Sequence, residues 1–181
     1  TCGFIESAKQ EAIQTILETA ELKKSGSLKA LIVTGCLVQR YPEEIAEELP
    51  EIDAVLGTGS YTNIVDAVRA VMQAPGTVYK NFGQIDEAEM EGGRILLTPG
   101  YSAYLKIAEG CDNHCAYCVI PSLRGKFRSR AMEDILKEAH ALADAGVREL
   151  IIVAQDITRY GVDLYHERRL PELLRALCKM D

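Results

Sequence analysis

The chain has 181 residues, 48% of them hydrophobic, enough for one ordinary domain or two small ones with a real core. Charged residues make up 26%, close to the globular average, which argues against disorder, collagen-like structure and coiled coil. No apolar run approaches the roughly 18–20 residues that span a bilayer. With no tryptophan and 6% aromatics, a stacking platform for single-stranded nucleic acid is not indicated.

The net charge is −7, and residues 1–100 carry all of that excess while residues 101–181 are balanced. Arg124, Lys126, Arg128 and Arg130 alternate along an acid-free stretch. One loop, rather than the whole protein, is therefore suited to an anion. The chain starts at Thr1-Cys2-Gly3 without a methionine and stops just after an amphipathic segment. It reads as a fragment, so the absence of a leader carries no information.

Ser7 followed by Gln10 has the form of a capping box. Ala8, Ala12, Ile13, Ile16, Leu17 and Ala20 then recur at helical spacing, and Gly26 is a plausible stop. Leu28–Thr34 contains the apolar run Ala30-Leu31-Ile32-Val33, the pattern of a parallel strand covered on both faces. It places Cys36 just past a carboxyl end, where open α/β sheets bind ligands. Pro42 opens a helix through about Leu49. Asp53–Leu56 is a short strand, and Asn63–Met72 a helix with Ile64, Val65, Val68, Val71 and Met72 on one face.

Residues 74–100 are rich in glycine and proline and read as a connecting segment with short strands at Thr77–Tyr79 and Ile95–Thr98. The alternation then restarts. Ala103–Ile107 is a strand, residues 109–131 a long loop, Met132–Ala145 a helix, Glu149–Ala154 a strand and Leu170–Met180 a helix. The last helix turns Leu173, Leu174, Leu177 and the neighbouring Cys178 toward a core. Strand–helix–strand order implies parallel pairing.

Six cysteines occur, three of them as Cys111-x-x-x-Cys115-x-x-Cys118 in the loop after a strand. Three is odd, and such close spacing does not favour an unstrained set of internal disulfides. A metal explains them better. Structural zinc takes four ligands, and His114 is poorly placed to be the fourth. Three thiolates suit a four-iron cluster with one iron left open, which favours iron–sulfur over zinc or chance.

The string Glu109-Gly110-Cys111-Asp112-Asn113-His114-Cys115-Ala116-Tyr117-Cys118 resembles the radical S-adenosylmethionine (SAM) motif. Its continuation, Val119-Ile120-Pro121-Ser122-Leu123-Arg124-Gly125-Lys126-Phe127-Arg128-Ser129-Arg130, narrows the resemblance to the methylthiotransferases. Two branches of that family compete. One modifies an adenosine of tRNA and the other an aspartate of small-subunit ribosomal protein twelve. Thr1-Cys2-Gly3-Phe4-Ile5 with Ser7-Ala8-Lys9, then Ala154-Gln155-Asp156, then Thr158-Arg159-Tyr160-Gly161-Val162-Asp163-Leu164-Tyr165 look like the second branch.

The resemblance implies two 4Fe-4S clusters and SAM. Cys111, Cys115 and Cys118 would hold one cluster, whose open iron chelates SAM. Cys2 and Cys36 match two of three N-terminal ligands of the other, so the second cluster is expected to be unstable in this chain alone. An electron splits SAM to give a radical that removes hydrogen from the aspartate. The second cluster supplies sulfur, and a further SAM the methyl group. Tyr117 holds the aromatic position before the third cysteine. Gln155 and Asp156, after the second barrel strand, are candidate SAM contacts, with strand-end capping as the alternative. Arg128 and Arg130 are the candidates for an anionic group. Tyr160 and Tyr165 line the substrate side or simply pack.

The fold class implied is α/β. Residues 1–73 form a partial Rossmann-like N-terminal domain, and residues 101–181 form the first part of a radical SAM (β/α) barrel with parallel strands. This piece alone is expected to be inactive, with an exposed barrel edge prone to aggregation. Partners are the ribosomal protein and an electron donor, with tRNA only under the other branch and no membrane. Thiolate clusters suggest the cytoplasm. The rival of another class is a non-catalytic iron–sulfur or zinc module, disfavoured because no fourth cysteine lies near the three.

Overall fold

The computed structural model describes residues 2–87, 95–97 and 100–180. The chain divides into two units, Thr1–Glu89 with Ser122–Arg124, and Met90–Pro121 with Gly125–Asp181.

In the first unit, helix α1 runs Glu6–Lys24. The capping box does not form. The helix begins one residue before Ser7, with Ile5 as N-cap and no side-chain cap. Lys9 N donates to Ile5 O instead. Ile16 and Ala20 are buried as expected, but Leu17 is exposed. The stop is as read from the sequence. Gly26 sits at φ 79°, and the Gly26 and Ser27 amides close back onto Lys23 and Leu22.

Strand β1 covers only Ile32–Thr34 of the predicted seven-residue run. Helix α2, Cys36–Arg40, follows at once and has no counterpart in the sequence reading; α3 is Pro42–Glu48. Strand β2 is Ala54–Leu56, α4 is Ile64–Gln73 and β3 is Tyr79–Asn81. The sheet order is β1-β2-β3, parallel throughout, with Val33 opposite Val55 and Val55 opposite Lys80.

Central strand β2 is buried on both faces. Val55 joins Ile16, Leu37, Val38 and Ile45 on one side. Ala54 and Leu56 meet Ala67 and Val71 of α4 on the other. This is the doubly covered parallel sheet that the apolar runs imply. Two expectations need correction. Helix α4 buries Ala67 and Val71, while Ile64, Val65, Val68 and Met72 are exposed. The segment read as a connection supplies β3, the third strand of this sheet.

The second unit pairs β4, Ser102–Lys106, with β7, Glu149–Val153, in parallel register, Tyr104 opposite Ile151. Helix α6, Met132–Asp144, crosses between them. Leu105 and Ile107 pack with Met132, Ile135, Ala139, Tyr160 and Leu173. Residues 109–131, read as a loop, hold structure of their own. Strand β5, Ala108–Glu109, pairs antiparallel with β6, Arg128–Ser129, and α5 spans Ile120–Arg124. Helices α7, Val162–Tyr165, and α8, Leu170–Leu177, close the unit.

Residues 95–97 are not in a strand, and Thr98 lies outside the described residues. Leu173 is buried, but Leu174 and Cys178 are exposed, so Cys178 is not a core residue. Among the described residues no helix is long and apolar enough to cross a membrane.

Candidate metal and cofactor site

The cysteine loop grows out of the β5–β6 pair. Gly110, at φ 77°, ends β5 in a conformation that L side chains rarely adopt. A Cβ at this position would run into the Lys126 carbonyl oxygen. The glycine thus lets the outgoing and returning arms of the loop touch, and Cys111 N donates to Gly125 O at 3.1 Å.

Cys111 is buried, Cys118 half-buried and Cys115 exposed, and none is in a disulfide. Two of the sulfurs face backbone donors. Asn113 N lies 3.4 Å from Cys111 Sγ, and Ile120 N lies 3.5 Å from Cys118 Sγ. These contacts tie two of the sulfurs to the loop backbone.

The residues between the cysteines are anchored as well. Asp112 Oδ1 accepts from Phe127 N at 2.9 Å, and Asp112 Oδ2 lies 3.5 Å from Arg159 Nη2. Asn113 Nδ2 donates to Asp156 Oδ2 at 3.0 Å. Asp156 follows β7, so its carboxylate stands at the carboxyl end of the sheet. Its other oxygen accepts from Thr158 N and Oγ1 at 3.1 and 2.7 Å. Those bonds, the Thr158 side-chain bond foremost, hold the Asp156 carboxyl below the usual carboxylate range.

The other sequence candidates fall in different settings. Tyr117 is 82% exposed, beside Cys118. Gln155 is exposed at the end of β7. Arg128 Nη1 donates to Lys126 O at 3.2 Å. Arg130 is buried, and its Nη1 donates to Lys106 O at 2.7 Å and to Glu138 Oε2 at 2.6 Å. That guanidinium ties β4 to α6.

Tyr160 is fully buried and donates to Arg130 O, and Tyr165 Oη accepts from Met132 N. Both tyrosines therefore brace the unit by packing. Asp112, Asn113 and Arg159 are not among the residues singled out from sequence. The available signal is the Asp-Asn pair inside the cysteine spacing, since short polar side chains at a turn bond to nearby backbone.

In the first unit, Cys36 starts α2 directly after β1. Gly3 lies against it, where a Cβ would come within 2.7 Å of Cys36 O. Arg40 Nη1 pins the Gly3 carbonyl at 2.7 Å. Hydrogen bonds from the Phe4 and Ile5 backbone lower the Cys2 thiol's pKa. Within the same unit Arg124 Nε donates to Cys36 Sγ at 3.1 Å. Cys2 and Cys36 therefore share a neighbourhood although 34 positions separate them.

Two family models match the chain. Residues 105–181 match the Radical SAM superfamily, and residues 1–57 match the Uncharacterized protein family UPF0004. The chain is 58% identical, over all 181 residues, to "Ribosomal protein uS12 methylthiotransferase RimO" of Clostridioides difficile (strain 630), covering 40% of that protein. The protein of the same name in Lachnoclostridium phytofermentans is 54% identical over 182 residues, spanning 100% of this chain and 41% of the relative. That in Desulforamulus reducens is 54% identical over 177 residues, spanning 98% of this chain and 40% of the relative. The likeness to the radical SAM methylthiotransferases thus holds over the whole sequence, and the chain spans about two-fifths of the length of these relatives.

The superfamily match implies SAM and an iron–sulfur cluster. The donor set fits in kind, with three free thiols on one loop and two of the sulfurs facing backbone N–H groups. Among the described residues, no three His, Cys, Asp or Glu side chains are gathered in a group that could hold a metal ion.

Proposed function

We propose that the full-length protein is a radical SAM methylthiotransferase that modifies an aspartate of a small-subunit ribosomal protein. The observation that carries this reading is the 58% identity, over all of this chain, to a relative named for that activity on uS12. Cys111, Cys115 and Cys118 would hold one 4Fe-4S cluster. Cys2 and Cys36, with a third cysteine outside this chain, would hold another. When bound, these groups and SAM supply the one-electron chemistry that activates an unreactive carbon–hydrogen bond.

The chain's own residues set the stage. Gly110 allows the loop to fold back on itself, and the Asn113 and Ile120 amides face two of the sulfurs. Tyr117 and Gln155 are exposed and free to meet SAM. Arg128, in the same hairpin, is a candidate for its carboxylate. Arg130 is committed to Glu138 and Lys106 and acts on the scaffold. Thiolate clusters need reducing surroundings, so the cytoplasm is the proposed location, with an external electron donor as partner.

The test uses full-length protein reconstituted anaerobically with iron and sulfide, then given a reductant, the ribosomal protein and SAM labelled in its methyl group. Label retained by the ribosomal protein, and lost in Cys111→Ala and Cys118→Ala, is expected. Label that never leaves SAM, from protein carrying its clusters, would contradict the reading.

A further inference from the structure

Two adjacent residues of the cysteine loop reach two residues of the short 3-10 turn after β7. Asn113 donates to Asp156 at 3.0 Å, and Arg159 faces Asp112 at 3.5 Å. The two links alternate in polarity, and they pair position 112 with 159 and position 113 with 156. Each anchor is itself fixed. Asp156 caps the turn Ile157–Arg159 through Thr158, and the Arg159 guanidinium lies 5.7 Å from the centroid of the Phe127 ring. Phe127 in turn donates its amide to Asp112. The arm from Cys111 to Cys115 is otherwise exposed beyond Cys111 and outside regular structure.

We propose that Asp156 and Arg159 are positioning residues that clasp this arm through Asn113 and Asp112, restraining it before any cluster binds. Asp156 then acts on the loop rather than as a direct SAM contact. Charge-assisted hydrogen bonds suit such a role, because they fix direction as well as distance. Holding the arm ahead of binding removes ordering cost from cluster assembly. The second half of this statement rests on the iron–sulfur reading above. The clasp itself does not, and it is tested without metal.

Full-length, metal-free protein is compared by amide hydrogen exchange over residues 111–116 and by the alkylation rate of Cys111. Exposed Cys178 serves as the internal reference. Asn113→Ala leaves the Asp156 cap on Thr158 intact and should raise both rates roughly three- to tenfold. Asp156→Ala should do the same, and the double variant should add little beyond either single change. Asn113→Asp sets two carboxylates face to face and should loosen the arm at least as much. Adding Asp156→Asn restores a donor–acceptor pair. The new amide at position 156 can accept from Thr158 with its oxygen and donate with its nitrogen to the new carboxylate at position 113, so protection should return.

Reconstituted samples should follow the same order in iron retained against a chelator, with SAM affinity per cluster unchanged. Unaltered exchange in Asn113→Ala would overturn the clasp. A loose arm not rescued by the swap would do so too. Weaker SAM binding in Asp156→Ala at full cluster content, with a protected loop, would make Asp156 a SAM contact instead.

Discussion

The phenol of Tyr160 donates to the backbone carbonyl of Arg130 at 3.0 Å, and the Tyr160 side chain is completely buried. The bond joins the turn after β7 to the end of the β5–β6 hairpin. One side chain therefore fixes the return arm of the cysteine loop against the scaffold. Gly161 N adds a second link to Ser129 Oγ at 2.9 Å, and Ser129 N and Oγ both reach Asp163.

Replacing Tyr160 by Phe removes the donor and leaves a buried carbonyl without it. A loss of about 1–2 kcal/mol is expected in the melting of the full-length protein. Tyr160→Ala adds a large cavity, and about 3–5 kcal/mol is expected. Burial pushes the Tyr160 phenol well above its usual range. Its contribution is thus fully present below about pH 10, the unfolded value, and is lost as pH rises toward the folded value. Stability measured up a pH series should fall more steeply above about pH 10 in the parent than in Tyr160→Phe.

Gly110→Ala should be more damaging than an ordinary loop substitution. The positive φ alone costs about 1–2 kcal/mol, and the new methyl has no room beside Lys126 O. Loss of thermal stability together with weaker iron retention is the expected result. Gly146→Ala, where φ is 96° but nothing lies within 4 Å, is the control that carries only the backbone penalty.

The Arg130 guanidinium is buried, with Glu138 at 2.6 Å. Removing the carboxylate leaves that charge poorly compensated, so Glu138→Ala should cost about 3 kcal/mol or more. Replacing the pair together, Arg130→Met with Glu138→Leu, should cost far less. If Arg130 instead met a bound anion, the double variant would melt normally but lose SAM binding.

Cys111, Cys115 and Cys118 share one loop, and Cys178 lies apart from it at the end of α8. Cys111→Ala, Cys115→Ala and Cys118→Ala should each remove one of the two clusters and so lower the visible iron–sulfur absorbance of the reconstituted full-length protein by roughly half. Cys178→Ala should leave it unchanged. In the native metal-free protein Cys178, exposed at the end of α8, should be alkylated much faster than Cys111.

The long apolar runs are the legible part of the fold. Leu150-Ile151-Ile152-Val153 and the stretch around Leu105 form the parallel pair β4 and β7, with Leu150 and Ile152 packed on the Leu105 core while Ile151 and Tyr104 are exposed on the other face. Two-residue strands such as Ala108–Glu109 and Arg128–Ser129 have no periodicity to read, and the five-residue α2 spans little more than one helical turn. The buried face of α4 is hidden in the sequence because side-chain size does not report burial there. Small Ala67 fits against Ala54 and Leu56, while bulkier Val65 and Val68 point outward.

The cysteine spacing can be read without a structure, since ligand geometry constrains sequence directly. The ties from Asp112 and Asn113 to Arg159 and Asp156 cannot, because they join residues more than 40 positions apart. Arg130 shows the opposite error. In sequence it is one of four alternating cations, and only its burial against Glu138 reveals a scaffold role.

The most direct measurement is the mass of the ribosomal protein after incubation with full-length, anaerobically reconstituted protein, SAM and reductant. The account predicts that one aspartate gains a methylthio group in place of a hydrogen, located by fragmentation, and that Cys118→Ala abolishes the gain. An unmodified ribosomal protein alongside a methylthiolated tRNA adenosine would contradict the proposed substrate. No transfer to either, from protein with intact clusters, would contradict the proposed activity.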